Sequence, residues 1–179
     1  TKYNAFLTEN VEALRNVQTK FLNKSQNLGN TLSGNRMYVL TSAGTASASE
    51  LIINGLKPYM DVFLIGDVTY GKNVGSIPIE DEDNPDNLYG LLPIVTQSFN
   101  SLDQSDYSTG FTPNIAVNEN TERLKELGDV NEIMLRTAIE QITGVPSSAR
   151  VTKLDRVELA NTLESKTRTG QMIESPIKK

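Results

Sequence analysis

Histidine and cysteine are both missing from these 179 residues. Without histidine the chain can assemble neither a Ser-His-Asp triad nor a histidine-ligated zinc site. Without cysteine it has no disulfide, no thiolate metal site and no sulfur nucleophile, and its redox compartment stays open. No apolar run approaches the ~20 residues that cross a bilayer as a helix, so the chain reads as not membrane-spanning. The formal charge of −5 argues against nucleic acid as a partner. Any hydrolytic chemistry therefore has to take its base from Lys, Asp, Glu or Tyr. What is present, 37% hydrophobic residues with six Tyr and five Phe, suffices for one domain with a core, or one domain with a tail.

The chain is organised around residues 37–72. Residues 37–41 (Met-Tyr-Val-Leu-Thr) form a short apolar, β-branched run that predicts a buried strand. A small-residue stretch, 42–50, leads into a helix whose apolar face is Leu51, Ile52, Ile53 and Leu56, limited by Pro58. Residues 61–66 predict a second buried strand, and residues 69–72 (Thr-Tyr-Gly-Lys) the loop that leaves it. Strand, helix and strand in this length make a βαβ unit. Such a unit puts the turn before the helix and the loop after the second strand at one edge of the sheet, where open α/β sheets place their sites. Ser47 and Lys72 are thereby expected to be neighbours.

A serine hydroxyl needs a proton acceptor, and a lysine can serve only when desolvation or nearby positive charge favours its neutral form. Ser47 at a strand-to-helix turn would face the partial positive end of the helix, and the Ala48 N–H after it would be a natural oxyanion donor. Lys72, between Tyr70 and Val74, is expected to be partly desolvated beside it. The plainer reading is structural: Ser47-Ala-Ser-Glu50 is also a capping box, and Lys72 alone is an ordinary loop lysine. Spacing does not separate Ser47 from Ser49 as a nucleophile.

Residues 45–50 (Thr-Ala-Ser-Ala-Ser-Glu), followed by residues 65–72 (Ile-Gly-Asp-Val-Thr-Tyr-Gly-Lys), resemble the catalytic signature of the C-terminal processing (tail-specific) peptidases. These are relatives of the tricorn core protease with a ClpP/crotonase-like α/β fold. The resemblance implies Ser47 as nucleophile and Lys72, 25 residues later, as general base. Residues 110–117, with Asn114 where the family carries an acid, resemble a further family segment. Ser76 occupies the position at which many members have a glutamine that orients the lysine. The family's upstream Gly-rich segment and a PDZ-like domain have no counterpart in these residues, so the chain is expected to be the C-terminal part of a catalytic unit. The resemblance further implies a serine endopeptidase acting on protein or peptide substrates, no metal or organic cofactor, and the periplasm or cell envelope of a bacterium. The rival readings are a non-catalytic binding or scaffolding module on the same fold, and a crotonase-type acyl-CoA enzyme.

Elsewhere, Val11, Leu14, Val17 and Phe21 recur at near-helical spacing, and residues 23–35 read as loop. Residues 74–79 predict a strand pushed to a sheet edge by Pro78. Residues 80–87 read as a solvated acidic loop rather than a calcium site, lacking the alternating ligands of an EF-hand. Residues 88–100 and 111–117 are extended in composition. Residues 131–143 predict a helix capped by Asn131 and stopped by Gly144. Residues 1–144 are taken as the catalytic domain and 145–179 as an extension. The extension carries seven basic and four acidic side chains against an acidic body, with one short helix near residues 154–163.

Overall fold

The computed structural model describes residues 1–147 apart from residues 16, 26–28 and 85 and the side chains of 30 and 33. The extension expected beyond 147, with its helix near 154–163, lies outside the described residues. Chain order runs β1 (Lys2–Tyr3), α1 (Ala5–Asn10), β2 (Arg36–Thr41), α2 (Ala48–Leu56) and β3 (Asp61–Gly66). It continues with β4 (Val74–Ser76), β5 (Ile79–Glu80), β6 (Gly90–Leu91), β7 (Ile94–Gln97), β8 (Ile115–Ala116) and α3 (Ile133–Thr143). Mixed helices and sheets make this an α/β fold.

The βαβ unit forms as its sequence requires. β2 and β3 pair in parallel from Arg36 opposite Asp61 to Thr41 opposite Gly66, and β8 adds to β3 in parallel at Ile65 and Gly66. Both strands of the unit end at the same edge, with α2 crossing between them. Ile53 of α2 packs with Val62, Leu64, Tyr107 and Phe111 in the core cluster. Burying one such aliphatic side chain contributes about 1.5–3 kcal/mol. Of the face expected for α2, only Ile53 is buried among Leu51, Ile52 and Ile53. The other two are exposed, and Glu50 and Asn54 take inward positions.

A second sheet orders β1, β7 and β4, all antiparallel, with β7 central. The strand expected over 74–79 is split. β4 ends at Ser76, with a register shift between Gly75 and Ser76, and β5 resumes beyond Pro78 to pair with β6. Proline has no N–H to give a ladder, so the interruption falls where the chain cannot donate. The acidic residues between β5 and β6 lie in the turns of that hairpin. The early helical spacing resolves differently from expectation. α1 is capped by Asn4 and ends at Asn10, a 3-10 turn covers Glu12–Leu14, and Val17 and Phe21 are not helical.

α3 stops at Gly144, whose φ of 68 is the left-handed conformation that glycine adopts without strain. Its cap is Glu132 rather than Asn131. The Glu132 carboxylate accepts from Met134 N at 3.0 Å and Leu135 N at 2.8 Å. Arg136 of α3 holds Glu122 at 2.7 Å in a pair that is almost wholly buried.

One core hydroxyl lacks a partner. Tyr107 is 1% exposed and stacks on Phe111, yet its phenolic oxygen has no hydrogen bond among the described residues. Burial, and then the Glu50 carboxylate, push this phenol above its ordinary value, so it stays neutral. An unpaired buried polar group costs about 1–3 kcal/mol. Tyr107→Phe is therefore expected to raise stability by roughly 1 kcal/mol, read as a higher midpoint in urea. A lower midpoint would mean that the hydroxyl is bonded after all.

Candidate active site

The turn between β2 and α2 is held before the helix begins. Ser42 N donates to Thr45 Oγ1 at 2.9 Å, and Thr45 O accepts from Tyr70 N at 2.9 Å, which ties the turn to the loop after β3. Ser47 then adopts φ 55 and ψ −110. Positive φ is rare for any residue other than glycine, asparagine or aspartate. Among the described residues other than glycine, only Asn35 and Asp103 share it, and both belong to the tolerant types. Ser47 has no such excuse. It is the residue at the strand-to-helix turn where a nucleophile elbow stores this kind of strain. Ser49, by contrast, lies inside α2, with its N–H on Ala46 O.

Beneath the turn sits Glu50, fully buried. Its carboxylate accepts from Ser47 N at 3.0 Å, Lys72 N at 2.8 Å, Gly71 N at 2.6 Å and Thr69 Oγ1 at 2.6 Å. The Ser47 contact is the carboxylate half of the expected capping box; the other three are not foreshadowed by a cap. Thr69 Oγ1 also accepts from Phe111 N at 2.7 Å, which anchors the loop to the core. On the far side of Lys72, the Asn73 side chain donates to Ser105 O at 2.8 Å.

Above Glu50 is a cleft of about 180 Å³, lined by Ser47, Ala48, Leu51, Lys72, Val74, Gly75, Thr96 and Ser98. Ser47 and Lys72 thus share one cleft, as expected of neighbours across the βαβ unit, although no hydrogen bond joins their side chains. The Ala48 N–H has no partner among the described residues and is available to a ligand. One expectation needs correction. Lys72 is exposed rather than partly desolvated, because only its backbone is drawn inward by Glu50. Ser76, at the position where many family members carry the orienting glutamine, is exposed on β4 and is not among the residues that line the cleft. The hydroxyls that do line it, Thr96 and Ser98, come from β7 and the residues just after it. Sequence reasoning missed them, for nothing local marks strand hydroxyls that reach a site through antiparallel pairing.

Asn114 has a structural duty. Its Oδ1 accepts from Leu64 N at 2.7 Å while its own N donates to Leu64 O at 2.8 Å, so it extends the β3 ladder beside β8. Aspartate offers the same acceptor oxygen, which makes asparagine an adequate replacement there.

A serine at positive φ at a helix N-terminus, a lysine lining the same cleft and an unpartnered N–H beside the serine are the parts that a serine hydrolase site on an α/β sheet requires. The model of Peptidase family S41 matches residues 4–117. The chain belongs to that family. It is also similar to a crystal structure assigned to the S41 proteases from Bacteroides fragilis NCTC 9343, at 36% identity and a TM-score of 0.55. That likeness covers 63% of this chain and 28% of the other, so the chain corresponds to under a third of that protein's length. No curated protein matches.

Proposed function

We propose that residues 1–144 form the C-terminal part of the catalytic unit of a C-terminal processing serine endopeptidase, on a ClpP/crotonase-like fold, with a Ser47–Lys72 dyad. The backbone of Ser47 carries this reading. A capping serine has no need of φ 55 and ψ −110, whereas a nucleophile that must project from a sharp turn does. In the reaction, Lys72 Nζ takes the Ser47 proton as Oγ attacks the peptide carbonyl. The Ala48 N–H holds the developing oxyanion, and the protonated lysine returns its proton to the departing amine. Water then attacks the acyl-serine, again giving its proton to Lys72, which returns it to Ser47 Oγ as the acyl–oxygen bond breaks and the carboxyl product leaves. The substrate is a protein or peptide, and the steps require no metal or organic cofactor. On the strength of the family resemblance alone, we propose the periplasm or cell envelope of a bacterium as its location.

A non-catalytic module on the same fold is the second reading, favoured by the exposure of Lys72 and by Ser76 lying outside the cleft. Treating the protein at its natural full length with a fluorophosphonate separates the two. The expected result is a single adduct on Ser47, lost in Ser47→Ala and retained in Ser49→Ala. A folded protein that leaves Ser47 unlabelled would support the module, and binding of a CoA ester would favour acyl-CoA chemistry instead.

A further inference from the structure

We propose that Glu50 is the positioning residue of this site: its buried carboxylate sets the register between the nucleophile turn and the base loop. The inference rests on the peptidase reading and extends it to a residue that touches neither substrate nor the reacting atoms. A cap glutamate needs one N–H and ordinarily remains in water. Glu50 is instead 0% exposed, with no cationic side chain among its hydrogen-bond partners, an arrangement tolerable only when donors replace the lost water. Four do so, two on each oxygen. Oε1 accepts from Thr69 Oγ1 and Gly71 N, and Oε2 from Ser47 N and Lys72 N.

The division between the oxygens matters. Oε2 is a single atom bonded to the backbone of both proposed dyad members, so residues 25 apart in sequence are referred to one point. The contact also fixes the direction of the Ser47 N–H, and with it the positive-φ peptide that presents Oγ. On the other side Oε1 grips the same loop at Thr69 and Gly71, and Thr69 passes the constraint to Phe111 in the core. Gly71, at φ 93, allows consecutive N–H groups to turn toward the same carboxylate.

Glutamine in place of Glu50 keeps the size but can offer an acceptor on one side only. Its NH2 must face two donors, and at most the Thr69 hydroxyl can turn to accept. Glu50→Gln, made in the protein at its natural full length, is expected to lower kcat by roughly 10- to 100-fold, as lost hydrogen bonds to a charged group allow. Peptide KM should stay within about twofold, because the cleft walls are untouched. The rate of fluorophosphonate labelling at Ser47 should fall with kcat. Glu122→Gln serves as the control: it loosens the buried Arg136 pair, lowers the melting temperature, and is expected to label at the wild-type rate.

Each outcome decides the matter. An unlabelled wild type removes the peptidase reading and this inference with it. A labelled wild type with equally fast labelling of folded Glu50→Gln overturns the positioning role alone, as does a Glu122→Gln control that slows labelling as much. Should Glu50→Gln melt below the assay temperature, Thr69→Val takes its place, since it deletes one of the four donors. Its labelling is expected to slow by roughly 3- to 10-fold, and wild-type labelling by a folded Thr69→Val protein would overturn the proposal.

Discussion

A Lys72→Arg protein is expected to fold normally and to hydrolyse no peptide. Arginine preserves the positive charge in the cleft but holds its proton at every accessible pH, so it cannot act as the base. The replacement therefore separates proton acceptance from electrostatics, which Lys72→Ala cannot do. General-base assistance alone contributes about 10²–10⁴-fold, and loss of a member of a nucleophile–base pair costs at least that much. The Lys72 side chain is exposed, and its fold-supporting contact is made by its backbone N–H to Glu50. Any residue other than proline supplies that N–H, so thermal unfolding should barely move. Turnover within a few-fold of wild type by a verified, folded Lys72→Arg enzyme would rule out the Ser-Lys mechanism.

The parts of this molecule legible in its sequence are those whose signals are local. β2, α2 and β3 fall where apolar runs and Pro58 put them, and Gly144 ends α3 where a left-handed residue is needed. The proximity of Ser47 to Lys72 was legible as well, because a βαβ unit brings its turn and its exit loop to one edge whatever the side chains. Harder to read was anything decided by distant strands. Glu50 looks like half of a capping box until Thr69, Gly71 and Lys72 converge on it from the next loop. That convergence also explains why part of the apolar face of α2 is displaced: with Glu50 and Asn54 turned inward, Leu51 and Ile52 face out. Thr96 and Ser98 reach the cleft through β7 and the residue after it, which no local signal announces. Asn131 was a sound cap by type, but Glu132 could reach two helical N–H groups with one carboxylate.

Gly110→Ala is expected to be among the most damaging single-methyl additions in the chain, and to act on the fold and the site together. Gly110 has φ 84, and a Cβ there would fall on the backbone carbonyl of Thr69, with Val68 Cγ1 only 3.1 Å away. Backbone cannot step aside as a flexible side chain can. The loop bearing Thr69 and the segment leading to Phe111 would have to separate, breaking Thr69 N to Phe111 O at 3.2 Å and Phe111 N to Thr69 Oγ1 at 2.7 Å. Phe111 belongs to the core cluster, so the strain would reach Ile53 and Leu64 as well. Positive φ with a Cβ costs about 1 kcal/mol, overpacking against backbone about 1–3, and two weakened hydrogen bonds about 1 each, for a total of roughly 4–6 kcal/mol. Gly128 supplies the comparison. Its φ of 87 is nearly the same, yet nothing lies within 4 Å of a Cβ built there. Gly128→Ala should therefore cost only the conformational part, about 1 kcal/mol. Urea unfolding of the two variants measures the difference, which isolates the clash with Thr69 from the cost of the backbone angle. Ser47 labelling should fall in Gly110→Ala under conditions where it remains folded, because Thr69 can no longer hold its place beside Glu50, and should be unchanged in Gly128→Ala. Equal unfolding midpoints for the two alanine proteins would show that the Thr69 loop yields freely, and that its packing against Gly110 does not brace the site.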